Sequence, residues 1–162
     1  MGNDRVAAQE IQFVTFLGAF RHTVDEKLRV AFPSRFRDQL ATTGQVTLYT
    51  VARKSHVLVF PPETWQAFVA NLFAQDSAAD SQGQDYLRRQ VALGGEICRL
   101  DAQGRISLRA DQLETAGIER DCVVFGNLRV VELWDAKAFE AMATKTKAQD
   151  KEDLWLKVVR TL

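Results

Sequence analysis

The sequence predicts an α+β, β-rich fold made of two tandem copies of one small unit. Three observations carry this. Asp25-Glu26-Lys27-Leu28-Arg29 and Asp101-Ala102-Gln103-Gly104-Arg105 share an Asp-x-x-x-Arg pattern 76 positions apart. At that offset Gly18 meets Gly94, Val24 meets Leu100, Val30 meets Ile106 and Phe32 meets Leu108. Turn signals and hydrophobic periods also run in the same order in both halves, as duplication of a folding unit would leave them.

Each unit opens on a strand alternating at period two, AFRHTV (19–24) or EICRL (96–100). The Asp-x-x-x-Arg segment is then a turn, and VAF (30–32) or ISL (106–108) a short second strand. A helix starts near Pro33 or Arg109; proline suits the first helical position, where its missing N–H costs nothing. In the first copy it carries Phe36 and Leu40 and stops at Gly44. In the second it carries Leu113 and stops at Gly117, a residue suited to a left-handed helix end.

Two strands follow as a hairpin, QVTLYT with HVLVF and DCVVFG with RVVELW. Matching VTLY (46–49) with CVVF (122–125) keeps the offset, and VLVFPPETWQAF (57–68) then meets VELWDAKAFEAM (131–142) if the second hairpin loop is two residues shorter. A helix opening at Pro62-Glu63 or Asp135 closes each unit. The expected organisation is a first unit over 16–73, a polar linker over 74–84, a second unit over 85–143 and a helical tail over 144–162. DYLRRQVALGG (85–95) reads as an amphipathic helix with Tyr86, Leu87 and Val91 inward. In the tail, Leu154, Trp155, Val158 and Leu162 fall at helical spacing, a stripe expected to be core or subunit contact.

Bulk properties narrow the function. Lys+Arg and Asp+Glu both count 21, so a nucleic-acid site has to be a local cluster, multiplied by oligomerisation, and not a global basic field. No apolar run approaches the roughly 20 residues that span a bilayer. The first residues, MGNDRVAAQE, lack the basic-then-apolar layout of a signal peptide. Cys98 and Cys122 read as buried thiols of a cytosolic protein, neither a disulfide framework nor a metal site. His22 and His56 have no companions at ligand spacing, and His22 shares a strand face with Phe20 and Val24 as a core or edge histidine. Asp25-Glu26 point apart and are matched only by Asp-Ala, against paired acid/base carboxylates. No nucleophile elbow or phosphate-cradling glycine loop is present. Trp65, Trp134 and Trp155 fall in apolar stripes and are expected in the core.

FLGAFRHTVDEKLRVAFPSRF (16–36), LDAQGRISL (100–108) and ETAGI (114–118) together resemble the MraZ family over roughly residues 16–142. The resemblance implies two AbrB-like swapped-hairpin units in one chain, an intrachain pseudo-dimer with a double-psi-like β-barrel and peripheral helices. It implies a sequence-specific DNA-binding transcriptional regulator of the bacterial division and cell-wall gene cluster, recognising short repeats upstream of its own operon. The expected partners are double-stranded DNA and further copies of the chain in a ring, in the cytoplasm at the nucleoid, with no cofactor, membrane or small-molecule substrate. The alternative is an oligomeric scaffold with weakened DNA recognition. Physics agrees with interleaving: a unit of roughly 55 residues is marginal alone, and a second copy covers its strand edges.

On this resemblance the two turns touch DNA. Arg29 and Arg105 present guanidinium forks suited to guanine O6/N7 or to phosphate. Lys27 contacts phosphate, and Arg21 and Arg35 add to the field. Asp25 and Asp101 shape the turns by accepting backbone N–H bonds. Two positions depart from the family pattern. Leu28 stands where glycine is usual and Gly104 remains in the second copy; if φ is positive there, Leu28 costs about 1 kcal/mol or more, or the turn changes shape, and Leu28 is available to a thymine methyl or a neighbouring subunit. Arg109 stands where proline is usual and adds positive charge beside the second turn.

Overall fold

The structure is a computed structural model that describes residues 14–42, 47–74 and 81–162. The expected helix stop at Gly44 and most of the 74–84 linker lie outside the described residues. The first copy comprises β1 (Phe16–Thr23), β2 (Arg29–Ala31), α1 (Ser34–Thr42), β3 (Thr47–Ala52), β4 (His56–Phe60) and α2 (Pro62–Ala74). After α3 (Ser81–Gly94), the second copy repeats this order as β5 (Gly95–Arg99), β6 (Arg105–Ser107), α4 (Ala110–Ala116), β7 (Asp121–Leu128), β8 (Val130–Asp135) and α5 (Ala136–Ala148). A short helix, α6 (Glu152–Val159), follows.

The copies interleave. Six strands form one antiparallel sheet in the order β1-β7-β8-β4-β3-β5, and β2 pairs with β6 as a separate ribbon. Each edge strand therefore bonds to the hairpin of the other copy, β1 to β7 and β5 to β3. Val30 faces Ile106 in the ribbon, and Leu58 faces Glu132 at the centre of the sheet. Both are pairs of equivalent positions, so an approximate two-fold axis relating the copies passes through them.

The expected double-psi-like β-barrel is not seen as a closed sheet: among the described residues no sheet closes. Closure needs strands that bridge the two edges with a consistent stagger, whereas β2 and β6 are three residues each and are used up pairing with one another. The place of the two-residue difference between copies also changes. Tyr49 pairs with Phe60 and Val123 with Trp134, so β3 matches residues 121–126 at an offset of 74. The extra residues of the first copy thus fall between α1 and β3, before the hairpin. A shift of two leaves in–out alternation intact, so the hydrophobic pattern cannot detect it.

The core joins Val30, Phe32, Phe36, Leu40, Leu48, Val57 and Val59 to Ile106, Leu108, Leu113, Val124, Val131 and Leu133. Phe36 sits among Phe16, Phe20 and Phe32 in edge-on contacts, with centroids 5.1, 5.4 and 5.8 Å away. Gly126 tolerates no side chain, because a Cβ there would lie 2.6 Å from the Phe16 backbone. In the second copy Gln112 occupies the position of Phe36 and is buried with Thr50. Its amide donates to Thr50 Oγ1 at 3.0 Å and to the Gly94 carbonyl at 3.1 Å, while its Oε1 accepts from the Arg109 N–H. One copy solves this site with aromatic packing and the other with a satisfied polar network.

Three apolar expectations fail. Tyr86 and Leu87 are exposed; beside Val91, which faces inward as expected, α3 turns Gln84 and Arg88 inward. Arg88 lays its guanidinium 5.0 Å over Phe73 and donates to the Leu72 carbonyl, so a charged residue covers the seam. Trp155, expected in the core, is exposed, as are Leu154, Val158 and Leu162, and α6 buries nothing against its own chain. Trp65 and Trp134 are half-buried, Trp65 stacked on Tyr49 and Trp134 on His56.

Candidate nucleic-acid interface

The two Asp-x-x-x-Arg turns are built by the same bonds. Asp25 Oδ1 accepts from the N–H of Lys27 (2.9 Å) and of Arg29 (2.8 Å), and its Oδ2 accepts from Arg29 Nε at 2.8 Å. Asp101 repeats this with the N–H of Gln103 and of Arg105, both at 2.9 Å, and with Arg105 Nε at 2.8 Å. The backbone closes each loop, Leu28 N donating to Asp25 O and Gly104 N to Asp101 O. These bonds from the turn backbone and the arginine hold both carboxyls below the ordinary aspartate range. Aspartate is needed because its short carboxylate spans two backbone donors and still reaches a guanidinium.

The ribbon sets the turns side by side. Arg29 pairs with Ser107 and Ala31 with Arg105 on either side of the axis. Beyond the ribbon, Phe32 N donates to Gly104 O and Leu108 N to Leu28 O, both at 2.9 Å, so each turn is bonded to the strand exit of the other copy. Arg105 Nη1 also lies 3.9 Å from Asp25 Oδ2 across the copies. Arg29 and Arg105 are each a little over a quarter exposed, and the ion pair occupies Nε, one of five N–H donors on each guanidinium.

Both turns require positive φ at the fourth residue, +60° at Leu28 and +74° at Gly104. Leu28 therefore accepts left-handed strain and keeps the turn shape. Its side chain is half-buried against the core. At Gly104 a Cβ would lie 2.4 Å from an Arg37 Nη atom. Arg37, on the first copy's helix, thus lies across the second copy's turn. Sequence reading missed it because its equivalent is Leu113, a core residue.

The remaining cations divide. Lys27 is exposed at the first turn's tip. Arg35 is exposed on α1, its guanidinium 5.8 Å from the Phe20 ring. Arg21 is on β1 and pairs with Glu140 of α5. Arg109 is engaged by Asp111, at 2.9 and 2.8 Å, by Glu96 at 3.4 Å, and by the Gly95 and Leu93 carbonyls. That network ties the start of α4 to β5.

Among the described residues no cluster of His, Cys, Asp and Glu could hold a metal, and no helix is long and apolar enough to cross a membrane. Burial pushes the Cys98 thiol to about 11 and the Cys122 thiol to about 12. His22 is half-buried on β1 and its pKa is lowered by that burial.

A family model described as "MraZ protein, putative antitoxin-like" matches residues 15–88 and again 92–155. Three curated proteins called "Transcriptional regulator MraZ" are similar to the chain. The one from Rhodococcus jostii (strain RHA1) is 38% identical over 125 residues, covering 77% of this chain and 84% of that protein. The one from Nocardia farcinica (strain IFM 10152) is 37% identical over 126 residues, covering 78% and 85%. The one from Lachnoclostridium phytofermentans (strain ATCC 700394 / DSM 18823 / ISDg) is 32% identical over 126 residues, again covering 78% and 85%.

Proposed function

The chain belongs to the MraZ family, and from that premise we propose that it is a DNA-binding transcriptional regulator and not an enzyme. The observation that carries the reading is the pair of like-built turns brought together by the β2–β6 ribbon. Arg29 and Arg105 enter the major groove and read guanine O6/N7, where base edges carry a distinguishing pattern. Lys27, Arg35 and Arg37 contact phosphates and set register. Asp25 and Asp101 stay off the DNA and hold the turns. The target is a set of short repeats upstream of the protein's own operon, in the division and cell-wall gene cluster, bound at the nucleoid. Copies of the chain assemble as a ring, so weak single sites add up across a repeat array. Zero net formal charge makes that multiplication necessary.

A gel-shift titration of upstream DNA from its own gene cluster tests the reading. Wild type should bind with steep salt dependence, and Arg29→Ala/Arg105→Ala, folded by circular dichroism, should not. Absence of wild-type binding at moderate salt overturns it. The bare apolar face of α6 favours a second reading, an oligomeric scaffold that has lost DNA recognition. Light scattering tests the assembly both readings need: a monomer at micromolar concentration contradicts the ring.

A further inference from the structure

The two-fold axis through Val30 and Ile106 makes the backbones of the two turns equivalent, so asymmetry at this surface comes from side chains alone. A symmetric pair of readers selects a palindrome, because each half meets the same bases in the same orientation. These readers are unlike. The first tip offers Glu26, Lys27 and Leu28; the second offers Ala102, Gln103 and Gly104. The first carries two formal charges where the second carries none.

The difference that matters lies at positions 27 and 103, both exposed and both with their backbone N–H fixed by the turn aspartate. Gln103 is further held from the side: its Oε1 accepts from Arg105 Nη2 at 3.2 Å. That leaves the Gln103 amide N–H groups as donors and a second lone pair on Oε1 as an acceptor. A glutamine edge of this kind matches adenine, donating to N7 and accepting from N6. Lys27 has donors only, so it suits guanine O6/N7 or a phosphate and cannot accept from adenine N6.

Resting on the DNA-binding reading above, we infer that Gln103, braced by Arg105, specifies adenine under the second turn, whereas Lys27, which has donors only, does not specify adenine at the equivalent position under the first. Gln103 is the specificity-determining residue of the second turn. Arg37, which crosses Gly104 and is matched by buried Leu113, adds a cation to the second turn only.

Selection from a randomised duplex library, followed by fluorescence anisotropy on the selected site at fixed salt, tests this with full-length wild type, Gln103→Ala and Lys27→Gln. Both substitutions are at exposed tips, and unchanged circular dichroism and melting confirm folded variants. Wild type should select adenine at one position under the second turn. Gln103→Ala should still bind but lose roughly tenfold discrimination for adenine at one position, leaving the other positions unchanged. Lys27→Gln places glutamine in both turns and should move the selected site toward inverted symmetry, with adenine gained at the related position. A wild-type site with no preferred adenine overturns the inference, as does a Gln103→Ala protein with unaltered base preference; in both cases DNA binding itself stands. Failure of wild type to enrich any duplex instead removes the DNA-binding reading, and the inference with it.

Discussion

Val30 pairs with Ile106 at the centre of the ribbon, and each is the other's counterpart in the repeat. Both are buried, at 0% and 2% exposure, so the seat of both turns is a single apolar contact. Ile106→Ala should cost about 3 kcal/mol, from lost transfer energy and the cavity left behind. Urea denaturation checks this through its midpoint at unchanged slope. A loss below 1 kcal/mol would show that the ribbon closes over the gap and is not the rigid seat described.

Positive φ at Leu28 and Gly104 can be separated from packing. Leu28→Ala removes the half-buried side chain but keeps the Cβ in a left-handed conformation, whereas Leu28→Gly removes both. The glycine variant should be the more stable of the two by about 1 kcal/mol, the opposite of their order in ordinary extended backbone. Gly104→Ala should destabilise by a similar amount or more, and less so when Arg37 is also changed to alanine, because the new Cβ meets that side chain. Equal penalties in the two backgrounds would contradict the contact.

Much of this was legible in sequence. The repeat could be read because each turn needs an aspartate four residues before an arginine, and that chemistry survives divergence. Helix ends at Pro33, Gly117 and Asp135 were legible because they rest on local backbone demands; Asp135 does accept the Ala138 N–H. What stayed hidden depends on partners distant in sequence. Arg109 reads as surface charge until Glu96 and Asp111 surround it. Arg37 carries no sequence signal that would place it over Gly104. The offset of 74 was legible for the second hairpin strand, 57–68 against 131–142, but not for the first, where a two-residue slip preserves every inward side chain.

Gln112 of the second copy and Thr50 of the first form a buried polar contact between the copies. Gln112→Leu leaves Thr50 Oγ1 and the Gly94 carbonyl without their donor and should cost about 1–3 kcal/mol. Adding Thr50→Val should recover part of that loss, because the two-fold-related site is filled by Phe36 and Val124. A double-mutant cycle measures the coupling; strictly additive losses would mean the two side chains act separately.

Acid should act first through histidine. Burial lowers the pKa of His22 and of His56, the Glu132 carboxylate opposing it at His56 and Arg53 adding to it. A lowered native pKa means that the unfolded chain takes up protons first, so stability is complete above about pH 6.5 and falls as pH drops through the native values. The turn carboxylates follow the same sign in a lower window, keeping their contribution above the ordinary aspartate value and losing it as pH falls through their depressed native values. NMR titration of the two imidazoles, beside melting from pH 8 to pH 4, checks both steps. Near pH 8 the buried thiols are protonated, so a thiol reagent should label Cys98 and Cys122 only after denaturant is added.

Strand β1 finds its bonding partner in β7, with Phe16 opposite Leu128. During synthesis, then, the first strand leaves the ribosome long before its neighbour exists. At the usual pace of translation the wait is of order ten seconds, during which Phe16, Phe20 and a bare strand edge depend on transient cover. Contacts this far apart in the chain also slow folding itself. A nascent chain arrested after the first copy should be held by chaperones or degraded, and release should come only once the second hairpin has emerged.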